Sequence, residues 1–171
     1  QRVVSLYDRE RKQLIDFNYQ QVPPAVADIV VSGGTQHSEL RWGALRSRYI
    51  TAYRVYGATA KEGPYRQITE VREPRVRLEH NGHPHSLYYR ITAVSGSGVE
   101  GPASEPVLDL FQAGYNHYQA KAWAEAEAAF RRQHEEHASH AETNKYLGLT
   151  LMEQQQYTAA RPYFEILAQQ P

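Results

Sequence analysis

Apolar and polar residues alternate along several short stretches between residues 22 and 107, and Gly and Pro residues separate these stretches. In one of them, Tyr53 and Val55 share a face, and Tyr89 and Ile91 share a face in another. Such alternation is typical of strands with one buried face, and seven short strands at this spacing indicate a β-sandwich. The predicted strands include residues 27–31, 38–42, 49–58, 65–69, 75–78 and 87–93.

The pattern changes after residue 107, where the chain becomes rich in Ala, Gln and Glu and the apolar residues recur with helical spacing. One constant shift along the chain brings Gly114 onto Gly148 and Phe130 onto Phe164. The same shift brings Trp123 onto Tyr157 and Ala126 onto Ala160. We expect helices near 108–121, 124–137, 142–155 and 158–170, with Pro162 at or just past the first turn of the last helix, where its missing N–H costs little.

Residues 1–21 are charged and amphipathic, and two structures fit them. They form either two strands, 3–8 and 13–19, around a charged turn, or a helix with a thin apolar stripe of Leu6, Leu14 and Phe17. We interpret them as a linker, as the trailing segment of an upstream domain, or as an element laid against the sandwich. Because the sequence begins with Gln1 and ends within a helical pattern, we expect it to be a piece of a longer protein.

Length and charge narrow the classes of function. The 171 residues allow one large or two small domains. With 19 basic and 19 acidic residues the formal net charge is zero, which argues against nucleic-acid partners and against attraction to anionic lipid. The chain has no cysteine, so it has no disulfide, no thiolate metal site and no cysteine nucleophile. No uncharged apolar stretch is long enough to cross a bilayer, so we expect no membrane insertion.

Several motifs occur in order between residues 22 and 107. They are Val22-Pro23-Pro24, Leu40 with Trp42, Tyr53-Arg54-Val55, Tyr89-Arg90-Ile91-Thr92-Ala93-Val94, and the run from Gly96 to Ser104 that contains Gly101-Pro102. On these motifs the middle segment, residues 22–107, resembles a fibronectin type III domain. The resemblance implies a seven-stranded, immunoglobulin-like β-sandwich.

Residues 108–171 resemble two tetratricopeptide repeats, each an antiparallel helix–turn–helix unit, because their internal shift matches the period of that family. His117 and Gln133 depart from the family pattern. Because about three repeats are usually needed for stability, we expect either that further repeats follow or that the sandwich caps the array. The junction 105–109 is short and not rich in glycine, which predicts a fixed arrangement of the two domains.

Four aromatic residues on the predicted first helices, Phe111, Tyr115, Tyr118 and Tyr146, form the candidate partner-binding site. The resemblance places them in or beside the concave groove of the repeats, and aromatic rings with a polar tip are favoured in recognition surfaces. The alternative is that they pack against the sandwich at the junction. Some relatives clamp a C-terminal carboxylate through Lys and Asn, and the matching positions here are aromatic. A peptide partner with aromatic or hydrophobic side chains therefore fits better.

Two histidine clusters resemble metal sites only in part. His80, His83 and His85 share one loop, which we interpret as a polar turn. His134 and His137, with His140 beyond, are three residues apart, whereas a zinc-protease helix needs a spacing of four. We predict no metal site and no cofactor.

No nucleophile elbow, phosphate-binding loop or paired-carboxylate pocket is evident in the sequence, so we predict no catalytic residues and no enzyme activity. The sequence predicts a non-catalytic adaptor or scaffold that binds a protein or peptide through the helical groove, with the sandwich as a spacer or second surface. The alternative is an accessory, non-catalytic region of a larger secreted or envelope enzyme. Self-association through exposed repeat ends is compatible with both. The fibronectin resemblance favours an extracytoplasmic or cell-envelope setting, although the lack of cysteine fits the cytoplasm equally.

Overall fold

The computed structural model describes residues 4–8, 13–17, 22–45, 47, 49–80 and 86–169. The backbone forms strands in the first part of the chain and helices in the last. The strands are β1 (Val4–Asp8), β2 (Gln13–Phe17), β3 (Val30–Gly33), β4 (His37–Arg41), β5 (Ile50–Ala58), β6 (Arg66–Val71), β7 (Arg75–Glu79), β8 (Tyr88–Ser95) and β9 (Val107–Leu108). The helices are α1 (Leu110–Gln119), α2 (Trp123–Glu136), α3 (Ala141–Glu153) and α4 (Tyr157–Ala168).

Strands β3 to β9 form the sandwich. One sheet has the order β3-β4-β7 and the other the order β6-β5-β8-β9, and every neighbouring pair is antiparallel. Side chains at alternate positions enter the space between the sheets, which confirms the predicted faces with Tyr53 and Val55 and with Tyr89 and Ile91. Trp42 packs its ring edge-on against Tyr53, with ring centroids 5.4 Å apart.

The amino-terminal segment forms strands, the first of the two alternatives. Strands β1 and β2 pair antiparallel as a separate two-stranded sheet, with Val4 opposite Phe17 and Asp8 opposite Gln13. Residues 9–12, which include most of the charged run between the strands, lie outside the described residues.

The seventh strand of the sandwich lies in the segment that the sequence presents as a junction. Leu108 belongs to β9, so α1 begins at Leu110, slightly after the predicted start near residue 108. The reason lies in Asp109, whose backbone N–H donates to the carbonyl of Leu87 at 2.8 Å and extends the sheet, while its side chain accepts a hydrogen bond from the backbone N–H of Gln112 at 3.0 Å and starts the helix. Sheet and helix therefore meet at one residue.

The four predicted helices are confirmed, and they form two helical hairpins with the same internal geometry. A methyl group on Gly114 would come within 2.8 Å of the Phe130 ring, and one on Gly148 within 2.7 Å of the Phe164 ring. These two glycines allow the two helices of each hairpin to approach closely. The turns repeat as well, because Lys121 (φ 57°) and Gln155 (φ 62°) both adopt the left-handed conformation.

Pro162 lies in the second turn of α4, just past the first turn as expected. The expectation that its missing N–H costs little is wrong, because at this position the carbonyl of Thr158 loses its usual helical donor. In the described part of the chain, no helix is both long and apolar enough to cross a bilayer.

Candidate functional site

The predicted site residues of α1 share one helical face. Phe111, Tyr115 and Tyr118 are spaced by four and three residues, which places their side chains in a row along the helix. The ring of Phe111 stacks on that of Tyr115 at 6.1 Å, with 11° between their planes. The row continues into the turn that follows, where Tyr118 meets Trp123 edge-on at 5.4 Å.

Helix α3 completes the cluster with Tyr146. Its ring centroid lies 5.0 Å from that of Tyr115, 5.3 Å from that of Tyr118 and 5.9 Å from that of Phe111, each in an edge-on arrangement. Such edge-on contacts place the positive edge of one ring against the negative face of another and are favourable beyond the area they bury. The fold thus brings together all four residues that the sequence singles out, from the first helix of each hairpin.

The four residues differ in how much of each side chain is exposed to solvent. Phe111 is fully buried and packs on Phe130 at 5.6 Å, so it presents no surface to a partner. Tyr115, Tyr118 and Tyr146 are half-buried against the same core. We call these three residues the tyrosine surface. Their role in binding stays a prediction. They pack mainly between the two hairpins, whereas the alternative had them packed against the sandwich.

Burial favours the neutral form of two phenols in the tyrosine surface. Burial, reinforced by the neighbouring Tyr115, raises the pKa of Tyr146 to about 12. Burial also raises the pKa of Tyr118. These two phenols therefore remain protonated at physiological pH and can both donate and accept hydrogen bonds. The ammonium of Lys145 lies 5.5 Å from the centre of the Tyr146 ring, which is within the distance of a cation–π interaction.

A second ordered surface lies on the sandwich, and no local pattern in the sequence indicates it. The Arg54 guanidinium donates to Glu70 at 2.8 Å and to Glu100 at 2.7 Å. Glu100 also accepts hydrogen bonds from the hydroxyls of Tyr56 at 2.5 Å and Thr92 at 2.6 Å. Burial alone would raise the pKa of Glu100, but these three donors together outweigh it and lower that pKa. We call these five residues the outer sheet network.

The sequence alone does not predict the outer sheet network, because its residues come together only through the pairing register of the strands. Arg54 lies opposite Glu70 on β6 and opposite Thr92 on β8, so three neighbouring strands bring the side chains together. Nearby, the Arg90 guanidinium lies over the Tyr65 ring at 4.5 Å. The tyrosines of this face, which the alternating pattern assigns to the fold, are therefore held in place by charged partners as well.

A buried polar cluster joins the sandwich to the helices. The Ser38 hydroxyl donates to Asp109 at 2.5 Å and lies 2.9 Å from Nε2 of His80. Asp109 has no exposed area, and its burial raises its pKa despite the hydrogen bond from Ser38. Ser, His and Asp are the residue types of a hydrolase triad, but here the serine lies between the carboxylate and the imidazole and is fully buried. This arrangement joins β4 to the residue that starts α1.

The second histidine cluster is divided among separate roles. His134 packs edge-on against Tyr163 at 5.2 Å. His140 starts α3, where its Nδ1 accepts from the backbone N–H of Thr143 at 3.2 Å. Among the described residues, no group of three or more His, Asp or Glu side chains is placed to hold a metal ion. Of the loop cluster, His83 and His85 lie outside the described residues.

No family model and no curated protein matches the chain. Several similar solved structures are fibronectin type III domains or contain one, and the similarity covers about half of the chain without matching the helices to tetratricopeptide repeats. The twitchin kinase region from C. elegans is 18% identical with a TM-score of 0.42, covering 51% of this chain and 16% of that one. A human fibronectin type III domain is 16% identical with a TM-score of 0.41, and the match covers 48% of this chain and 69% of that one. An Fn3-like protein from Clostridium thermocellum is 24% identical with a TM-score of 0.38, and the match covers 50% of this chain and 86% of that one.

Proposed function

We propose that this chain is a non-catalytic module that binds a protein partner and acts as an adaptor or scaffold. The observation that carries the proposal is the tyrosine surface, where Tyr146 contacts both Tyr115 and Tyr118 and all three remain half-exposed. Rigid rings with polar tips supply contact area and hydrogen bonds while losing little conformational freedom on binding. A peptide or helix with aromatic or hydrophobic side chains matches this chemistry.

The helical half is, in this proposal, a tetratricopeptide array. Its support is internal, because the glycine, the phenylalanine and the left-handed turn residue recur at the same shift along the chain and with the same contacts. In such an array the first helices of successive pairs line one side, and the tyrosine surface is drawn from α1 and α3, the first helices of the two hairpins. The tyrosines therefore lie where an extended partner can contact both hairpins at once.

The sandwich is, in this proposal, a fibronectin type III domain that serves as a spacer or as a second binding surface. Two observations support these roles. The polar cluster around Asp109 ties β4 to the start of α1, as a spacer with a defined orientation requires. The outer sheet network holds Tyr56 and Arg54 in one conformation, and these are residue types enriched in interfaces. The extracytoplasmic or envelope setting belongs to the proposal and rests on the sequence resemblance alone.

The test is a selection of binding peptides from a random displayed library, with the affinity of each selected peptide measured by fluorescence anisotropy. We expect the peptides to be rich in aromatic and aliphatic residues. Replacing Tyr118→Ser removes one ring from the tyrosine surface, and we expect the Kd to rise about tenfold or more, since central tyrosines in interfaces commonly contribute that much.

Tyr157→Ser is the matched control. It makes the same change on α4 at a tyrosine that is 62% exposed and outside the tyrosine surface. We expect this variant to bind the selected peptides as the parent does, and circular dichroism verifies that both variants keep their helices. Peptides that bind the Tyr118→Ser variant as tightly as the parent would refute the tyrosine surface as the binding site.

A further inference from the structure

Helix α3 starts at His140, and this start requires an uncharged imidazole. Nδ1 of His140 accepts a hydrogen bond from the backbone N–H of Thr143 at 3.2 Å and lies 2.7 Å from the Thr143 hydroxyl. A nitrogen that accepts from an N–H carries no proton itself, so Nδ1 is the unprotonated nitrogen of the ring in this arrangement. A proton on Nδ1 would turn the acceptor into a donor and remove the cap from α3.

The first turn of α3 also holds the sandwich. Glu142, two residues after His140, accepts a hydrogen bond at 2.6 Å from the backbone N–H of Thr35, which lies between β3 and β4. Because Glu142 belongs to the turn that His140 caps, its position depends on that cap. Loss of the cap therefore weakens a contact between two residues that are 107 apart in the sequence.

His140 is half-buried at the edge of a cleft between the sandwich and the helices. The cleft is lined by Ser32 of β3 and by residues 136–141, from the end of α2 to the start of α3. On the inner side, the fully buried Phe111 of α1 meets the His140 ring edge-on, with ring centroids 5.8 Å apart. Protons from solvent therefore reach the ring through the cleft, while its burial on the inner side disfavours a charge.

The two acids that face His140 already have partners in the sandwich. Glu142 accepts the hydrogen bond from Thr35, and Asp109 accepts the hydrogen bond from Ser38. Each of these bonds joins the helical half to the sandwich. An imidazolium at His140 therefore attracts either acid only at the expense of a contact between the two halves.

Burial decides the balance of charges around His140. Glu142 and Asp109 favour the charged ring, whereas burial disfavours it, as do His137 after α2 and His37 on β4 when they are protonated. Burial has the largest effect and lowers the pKa of His140. The closed arrangement therefore binds a proton at His140 more weakly than an arrangement in which the ring is in water. Further titratable side chains on the described residues are Glu39, 3.9 Å from His37, His80, 2.9 Å from the Ser38 hydroxyl, and Glu136, which lines the cleft.

We propose that His140 is a proton sensor for the docking of the sandwich on α3. The uncharged ring caps α3 and keeps Glu142 on Thr35, whereas the protonated ring releases the cap, attracts Glu142 and lets the cleft open. The contact between Asp109 and Ser38 forms the pivot, since it does not involve His140. Mildly acidic solution thus changes the orientation of the helices relative to the sandwich. The proposal is independent of peptide binding at the tyrosine surface, because no residue of that surface takes part.

Nuclear magnetic resonance of the whole chain during a pH titration tests the proposal. The amide proton signal of Thr35 reports its hydrogen bond to Glu142, and the ring signals of His140 report its protonation. We expect both to change together between about pH 7 and about pH 5. Within this window the open form gains up to about tenfold over the closed form for each unit of pH, because only the open form binds the proton well. Far-ultraviolet circular dichroism verifies that the helices stay folded over the same range.

His140→Asn keeps a side-chain oxygen that caps α3 but takes up no proton, so we expect the Thr35 signal of this variant to stay constant over the window. His117→Asn is the matched control, because it makes the same change at an exposed histidine of α1. We expect it to respond to pH as the parent does. A parent Thr35 signal that stays constant over the window would overturn the proposal. So would a His140→Asn variant that follows the curve of the parent, or a His117→Asn variant that does not.

Discussion

Replacing Gly114 by alanine tests how tightly the first helical hairpin is packed. The added methyl carbon would lie 2.8 Å from two carbon atoms of the Phe130 ring, whereas carbon atoms in contact are normally about 3.5–4.0 Å apart. Phe130 is fully buried, with the rings of Phe111 and Tyr146 at 5.6 and 6.1 Å. The Phe130 ring therefore has no open space into which it can move.

Two opposing effects set the size of the change. Overpacking a buried site costs about 1–3 kcal/mol. Alanine in place of glycine inside a helix returns about 1 kcal/mol through helix propensity. We therefore expect Gly114→Ala to lower the free energy of unfolding by about 1 kcal/mol and by as much as about 2 kcal/mol if neighbouring rings must leave their preferred rotamers.

Gly148→Ala provides the matched comparison within the same chain. Its methyl carbon would come within 2.7 Å of the Phe164 ring, an equally close approach, but Phe164 is only half-buried. Because that ring can turn outward, the helix-propensity gain is retained and we expect little loss of stability or a small gain. Identical substitutions at equivalent positions thus give different results for a reason visible in the burial of one ring.

Urea unfolding followed by far-ultraviolet circular dichroism measures both variants. The double variant Gly114→Ala with Phe130→Leu gives a further check, because a smaller side chain relieves the clash and the two changes should not be additive. A Gly114→Ala protein at least as stable as the Gly148→Ala protein would refute the reasoning, since it would show that Phe130 is free to move.

Two other predictions concern the contacts between sandwich and helices. Gly33→Ala should lower the free energy of unfolding by about 2 kcal/mol or more, because the added methyl group would overlap the fully buried Asp109. Gly34→Ala is the control, because its methyl group would make only ordinary contacts and should cost less. Urea titrations measure both variants. Burial lowers the pKa of His140 below its usual 6.5, although Glu142 opposes this. At pH values between the lowered pKa of the folded state and the usual 6.5 of the unfolded state, the unfolded chain binds more protons than the folded one. The free energy of unfolding should therefore fall as the pH falls through this window. His140→Asn keeps a helix cap and should flatten this decline in urea midpoint, and an unchanged slope would contradict the assignment.

Local patterns in the sequence predict most of the fold. Alternation places Tyr53, Val55 and Ile91 in the sandwich core, and the internal shift of the helical half identifies Gly114 and Gly148 as equivalent positions of close contact. These features depend on residues near one another or on a repeated spacing, and both are visible along the chain. Strand β9 was missed because two residues are too few to show an alternating pattern.

The polar features were missed because their partners are distant in sequence. Ser38 and Asp109 are 71 residues apart, and Arg54 and Glu100 are 46 apart. Nothing in the local sequence of either residue indicates the other, since the pairing requires the register of strands in both sheets. The burial of the candidate site residues also depends on contacts that are distant in sequence. Helical spacing places Phe111 on a face with the tyrosines, but only the packing of α3 decides that Phe111 is buried and the tyrosines are not.

Asp109 determines how the candidate surfaces are oriented relative to one another. It continues the sheet through its backbone, starts α1 through its carboxylate and accepts the hydroxyl of Ser38, so rotating the helices against the sandwich would break all three contacts while leaving a buried acid without partners. The tyrosine surface and the outer sheet network are therefore held in a defined relation.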